Sequence, residues 1–212
     1  MIKGGAHGYE PATTLWELWD SDTGSDSMDS RNHIMFGSVG SFFYKHLLGV
    51  QPAAVGYTRV SIHPAVVAHP NLTHASGMVA TPFGKVLVAW ASNAPALAAV
   101  PSPPPPQAGA RALVPPAANS SFAMQVTIPV GASAVVALPT AVLGAVGNGG
   151  SLRVSEGGGR VVFCHGQYVP GVAGVISATF VHGGPATTSR IDVAIGSGSY
   201  DFVLSHREAS GC

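Results

Sequence analysis

The residues best placed to do chemistry lie in Pro11–Gly24, PATTLWELWDSDTG. Trp16 and Trp19 bracket Glu17, and Asp20, Asp22 and Asp26 follow closely. The chain has only 10 acidic residues, so this clustering is uneven. Sugar rings stack on aromatic faces, and glycoside cleavage uses a pair of carboxylates. A carboxylate between tryptophans can also have its pKa tuned by partial desolvation. The plainer alternative is a loop with exposed acids and two core tryptophans, and spacing alone favours it.

Other candidate chemistry is weaker. His33 stands where a helix begins and reads first as a capping or packing histidine. His63, His69 and His74 fall in a proline-broken stretch, whereas metal sites prefer closer ligands on rigid elements. No serine sits in the Gly-x-Ser-x-Gly setting of a serine hydrolase. Gly147-Asn-Gly-Gly150 and Gly157-Gly-Gly159 lack the spacing of a phosphate cradle and read as turns. No cofactor or metal is expected.

Composition narrows the classes further. At 212 residues the chain can bury a core without staples. Charged residues make up 9% and formal net charge is zero, with no basic run, which argues against nucleic acid as a partner. No apolar stretch is long enough to span a membrane, and the first residues lack the apolar region of a signal peptide. Cys164 and Cys212 give no framework: a disulfide is possible, but two buried or idle thiols are the better reading. Asn71-Leu-Thr73 and Asn119-Ser-Ser121 are glycosylation sequons that count only in a secretory setting. The sequence leaves the compartment open.

Two regions of different character must position these residues. Ser30–Gly49 predicts a helix, with Asp29 or Ser30 as its cap and Gly49 as its stop. Ile34, Met35, Val39, Phe42, Phe43 and Leu47 recur at helical spacing, and so much apolar face needs a partner. After Gly56 short alternating strands take over. They are Tyr57–His63, Gly77–Thr81, Gly84–Trp90, Ser121–Pro129, Ala134–Pro139, Ser151–Val154, Arg160–Cys164, Ile191–Ile195 and Tyr200–Leu204. Hairpins are expected at Thr81–Gly84 and at Gly131–Ser133. Residues 93–118 are rich in proline and alanine and cannot pair in a sheet. Residues 166–189 read as irregular. The pattern spells an all-β sandwich.

An ordered run of motifs then resembles one family. Ala12-Thr-Thr-Leu-Trp-Glu17, Met28-Asp-Ser-Arg-Asn-His33 and Phe36-Gly-Ser-Val-Gly40 with Phe43-Tyr44 resemble the end of the catalytic domain of α-L-rhamnosidases of glycoside hydrolase family 78. Gly56-Tyr-Thr-Arg-Val-Ser-Ile-His-Pro64, Gly84-Lys-Val-Leu-Val-Ala-Trp90, Val126-Thr-Ile-Pro129, Ala134-Val-Val-Ala-Leu-Pro139 and Gly196-Ser-Gly-Ser-Tyr-Asp-Phe202 resemble its C-terminal sandwich.

The resemblance implies a mainly β chain. An antiparallel β-sandwich, residues 51–206, would follow a loop and the last helix of an incomplete (α/α)6 barrel, residues 1–50. It implies cleavage of terminal α-L-rhamnose from a glycoside or polysaccharide with inversion. Glu17 would be the general base, His33 a sugar contact and Trp16 part of the subsite wall. The general acid would lie upstream in helices this chain lacks, so the chain alone is expected to be inactive. The missing barrel portion is then the expected partner. The alternatives are a stand-alone sandwich that binds carbohydrate or supports a partner, and one chain of a two-chain enzyme.

Overall fold

The computed structural model describes residues 14–17, 30–65, 72–92, 120–143, 149–184 and 189–206. The chain divides into two compact units between Phe43 and Tyr44. The expected Pro/Ala-rich excursion, together with Trp19, Asp20, Asp22, Asp26, Asp29, His69 and Cys212, lies outside the described residues.

The first unit holds the paired segments described below and the start of the helical run. That run is not one regular helix. It begins with a 3-10 turn, Ile34–Ser38, and continues as a single α turn, Val39–Phe42. Phe43–Leu47 then widens to a π turn. Ser30 does not cap it: His33 occupies the N-cap position without a side-chain bond, and Ser30 Oγ instead accepts the Asn32 N–H at 3.3 Å. Gly37 and Gly40 weaken regular helix in this stretch. Ile34, Met35, Phe36, Val39, Phe42 and Phe43 expose between 47% and 79% of their surface. The chain turns away at Gly49, where φ is +86° and an added Cβ would meet Pro64 N at 2.2 Å. Only glycine fits there.

The second unit is a sandwich of two sheets. Its strands are β1 (Val50–Pro52), β2 (Arg59–Ile62), β3 (His74–Thr81), β4 (Gly84–Ser92), β5 (Ser120–Ile128) and β6 (Ser133–Pro139). They continue as β7 (Leu152–Glu156), β8 (Arg160–Cys164), β9 (Gln167–Tyr168), β10 (Val175–Val181), β11 (Arg190–Ile195) and β12 (Gly198–His206). One sheet runs β1-β2-β6-β11-β10, and the other runs β3-β4-β5-β12-β7-β8-β9. Pairing is antiparallel throughout except between β2 and β6. A mainly β, sandwich-type fold is therefore what the sequence makes.

Alternation explains the core. Val60 and Ile62, Val136 and Leu138, and Ile191, Val193 and Ile195 face inward from the five-stranded sheet. Val86, Val88 and Trp90, Phe122, Met124 and Val126, and Phe202 and Leu204 meet them from the other. Each such side chain contributes roughly 1.5–3 kcal/mol by leaving water. Trp90 stacks on Phe122 with ring centroids 6.0 Å apart, and its Nε1–H donates to Leu47 O at 2.8 Å.

Three expectations are corrected. β5 and β6 are not a hairpin: the turn Pro129–Ala132 carries the chain from one sheet to the other, and β6 takes β2 and β11 as neighbours. The stretch read as irregular contains β9 and β10. Cys164 is buried and disulfide-bonded rather than an idle thiol.

Candidate functional site

The short segment Thr14–Glu17 is held against Ser30–His33 by backbone bonds. Glu17 N–H donates to Ser30 O at 2.8 Å, and His33 N–H donates to Leu15 O at 2.7 Å. Thr14 Oγ1 adds a bond to Arg31 O. These ties bring together two residues far apart in sequence. His33 Nδ1 lies 3.6 Å from Glu17 Oε2.

The carboxylate is also held from its own backbone frame. Ser30 N–H donates to Glu17 Oε2 at 3.0 Å. One oxygen is thus fixed by a peptide N–H and faces an imidazole. Glu17 keeps 40% of its side chain exposed and His33 24%, so both remain open to solvent. The His33 ring leans on Phe36, with centroids 5.0 Å apart and planes tilted by 41°. The His33 backbone N–H is already committed to Leu15 O and its carbonyl to the Phe36 N–H, so the main chain that carries the ring is held on both sides.

Trp16 is half-buried, and the Arg31 guanidinium sits over its ring at 5.5 Å from the centroid. One indole face therefore meets a cation, a contact worth about 0.5–1 kcal/mol at an exposed position. The structure thus brings Glu17, His33 and Trp16 into one small region, because adjacent Trp16 and Glu17 share a segment that pairs with the one carrying His33. Spacing alone gave no role to Arg31 or Phe36. Their only signal was position, inside the Met28–His33 and Phe36–Gly40 motifs.

Chemically, the arrangement offers a carboxylate oriented by one peptide N–H, an imidazole within reach of it, and an aromatic plane alongside. That set can accept a proton from water and present donors to hydroxyl groups. Among the described residues no group of three or more His, Cys, Asp or Glu could hold a metal ion, and no helix is long and apolar enough to cross a membrane.

Comparisons with known proteins converge on one family. Residues 7–47 match the model of the bacterial alpha-L-rhamnosidase 6 hairpin glycosidase domain. An α-L-rhamnosidase of Formosa agariphila is 36% identical over 84 residues, 37% of this chain and 9% of that protein. One from Streptomyces avermitilis is 37% identical over 84 residues, covering 37% of this chain and 8% of its own. The chain thus spans less than a tenth of these relatives.

Among solved structures, α-L-rhamnosidase from Dictyoglumus thermophilum superposes with a TM-score of 0.59 at 25% identity, over 92% of this chain and 16% of that one. The Streptomyces avermitilis enzyme complexed with L-rhamnose shares the fold, with a TM-score of 0.54 at 23% identity over 91% of this chain and 14% of that one. Residues 7–47 thus resemble the bacterial alpha-L-rhamnosidase hairpin glycosidase domain, and the fold of the chain resembles part of the Dictyoglumus thermophilum α-L-rhamnosidase.

Proposed function

We infer that the chain serves as one part of an α-L-rhamnosidase, supplying one wall of the sugar site. Residues 1–50 would close the catalytic barrel, and residues 51–206 would form the sandwich that follows it. The observation that carries this reading is the 3.6 Å approach of His33 Nδ1 to Glu17 Oε2 on two segments tied by backbone bonds.

In this reading Glu17 takes a proton from the water that attacks the anomeric carbon. Inverting enzymes leave about 6.5–9.5 Å between the two carboxyls to admit that water. The Ser30 N–H fixes one carboxylate oxygen, which orients the lone pairs that receive the proton. His33 contacts sugar hydroxyls from the side opposite its Phe36 neighbour. Trp16 meets the apolar face of rhamnose with the indole face that Arg31 leaves open. The substrate class is a glycoside or polysaccharide that ends in α-L-rhamnose.

The general acid is not among these residues. Without it the leaving group departs unprotonated, at a loss of about 10²–10⁴-fold. The exposed apolar residues of Ile34–Phe42 support the same reading, because a barrel helix keeps such a face against neighbouring helices. The purified chain is therefore expected to release no rhamnose from an aryl α-L-rhamnoside above background. Turnover near that of a full-length relative would overturn the division of labour between Glu17 and a missing acid.

A further inference from the structure

Among the described residues the two sheets end at β1, β10, β3 and β9. Sheet edges invite pairing with another chain unless they are short, interrupted or covered. β1 is three residues long and ends in Pro52. β9 has two residues. β10 lies beside β9, with Tyr168 Oη donating to Val175 O at 3.0 Å. β3 has none of these protections. It runs eight residues, HASGMVAT, without Pro, Lys, Arg, Asp or Glu.

Its hydrogen-bonding direction can be read from the ladder. Ser92 N–H donates to Thr73 O at 2.8 Å, just beyond the strand end. Bonded and non-bonded positions alternate along an antiparallel pair. Ala75, Gly77 and Val79 therefore bond to β4, and His74, Ser76, Met78 and Ala80 point their N–H and C=O groups off the edge. Among the described residues no strand beyond β4 pairs with them. On the inner face Ala75, Gly77 and Val79 pair with Trp90, Val88 and Val86. The β4 residues are buried, but their β3 partners are only half-buried. One more strand would finish that row.

We propose that β3 pairs antiparallel with β3 of a second copy of this chain, about a two-fold axis through Gly77. In that register Ser76 faces Met78 of the second copy, and His74 faces Ala80. Every outward N–H and C=O of those residues then has a partner. On the inner face Ala75 meets Val79, and the two Gly77 residues meet at the axis. Leu48 packs over Gly77, with Cδ2 3.1 Å from where a Cβ would sit, and extends the apolar row. No charge opposes another, so the strand is its own complement. This edge shares no residue with the Glu17 site and does not depend on the glycosidase reading.

Sedimentation equilibrium of the purified chain is expected to show a monomer–dimer equilibrium. Ser76→Pro deletes one outward N–H on each copy and should raise the dissociation constant about tenfold or more. Ser76→Lys adds a charge at an exposed edge position without touching the backbone, and it should act in the same direction. Raising the protein concentration should slow amide exchange at Ser76 and Met78. A chain that stays monomeric overturns the proposal. So does a dimer that survives both Ser76 variants, or one that only Val39→Lys on the helical run dissolves.

Discussion

Replacing Gly174 with alanine puts a methyl group where Tyr200 already sits. Gly174 has φ +79°, and a Cβ there would lie 2.1 Å from Tyr200 Oη and 3.0 Å from Cζ. The backbone cannot slide easily, because Gly174 O accepts the Gly196 N–H at 2.9 Å. Tyr200 is buried and its hydroxyl donates toward Gly196 O and Ser197 O, each at 3.3 Å. A left-handed alanine costs roughly 1–2 kcal/mol. Pushing the hydroxyl off its acceptors costs about 1–3 kcal/mol more.

The sum is about 2–5 kcal/mol, which in a chain of 212 residues lowers Tm by roughly 4–20 °C. Gly158→Ala is the control. Its φ is +87° and nothing lies within 4 Å of its Cβ position, so it bears a similar backbone cost alone. Adding Tyr200→Phe to Gly174→Ala removes the clashing oxygen and should return about 1–2 kcal/mol. Urea unfolding followed by tryptophan fluorescence measures all of these. If Gly174→Ala and Gly158→Ala agree within about 0.5 kcal/mol, the packing argument is wrong.

Trp90→Phe removes the donor to Leu47 O and part of a buried ring, and should cost about 2–4 kcal/mol by chemical denaturation; a loss under about 0.5 kcal/mol would sink that role. His63 has a pKa below the ordinary 6.5, first because it is desolvated and then because Arg190 is near, with Asp192 opposing. Folding therefore favours its neutral form. Its stabilising contribution is complete above 6.5 and fades as pH falls below that value, while Arg190→Gln should raise its NMR titration midpoint. A midpoint at or above 6.5 in the wild type would contradict this. His33→Ala, placed in a relative's barrel that carries this chain as its last segment, should raise KM for an aryl rhamnoside; unchanged KM and kcat would exclude a sugar contact.

What could be read from the sequence follows from burial. β2, β11 and β12 alternate cleanly because one face of each meets the core, while β4 and β6 alternate only until their last residues, which are buried in succession. β10 hides this signal: Ile176 is exposed, and a bulge between Val175 and Ser177 shifts the alternation. β9 is too short to carry a period. Turn residues announce that a chain reverses but not which sheet receives it, so Gly131–Ser133 looked like a hairpin tip. In the helical run, apolar spacing marked the right residues but not the drift from 3-10 to α to π geometry.

The site was legible in a different way. Nothing in the spacing of Glu17 and His33 requires them to meet. Their motifs suggested it, and the backbone bonds of Leu15 and Glu17 supply the physical cause. Arg31 over Trp16 could not be foreseen, since a cation near an aromatic residue in sequence has no fixed place in space.

The most direct measurement introduces Glu17→Gln into the same chimeric enzyme and compares the variant with its parent. The assay is release of rhamnose from an aryl α-L-rhamnoside at saturating substrate. If Glu17 is the proton acceptor, kcat falls by about 10²-fold or more while KM stays close to its starting value. Equal turnover by variant and parent would remove Glu17 from the chemistry and leave the wall of the site without its base.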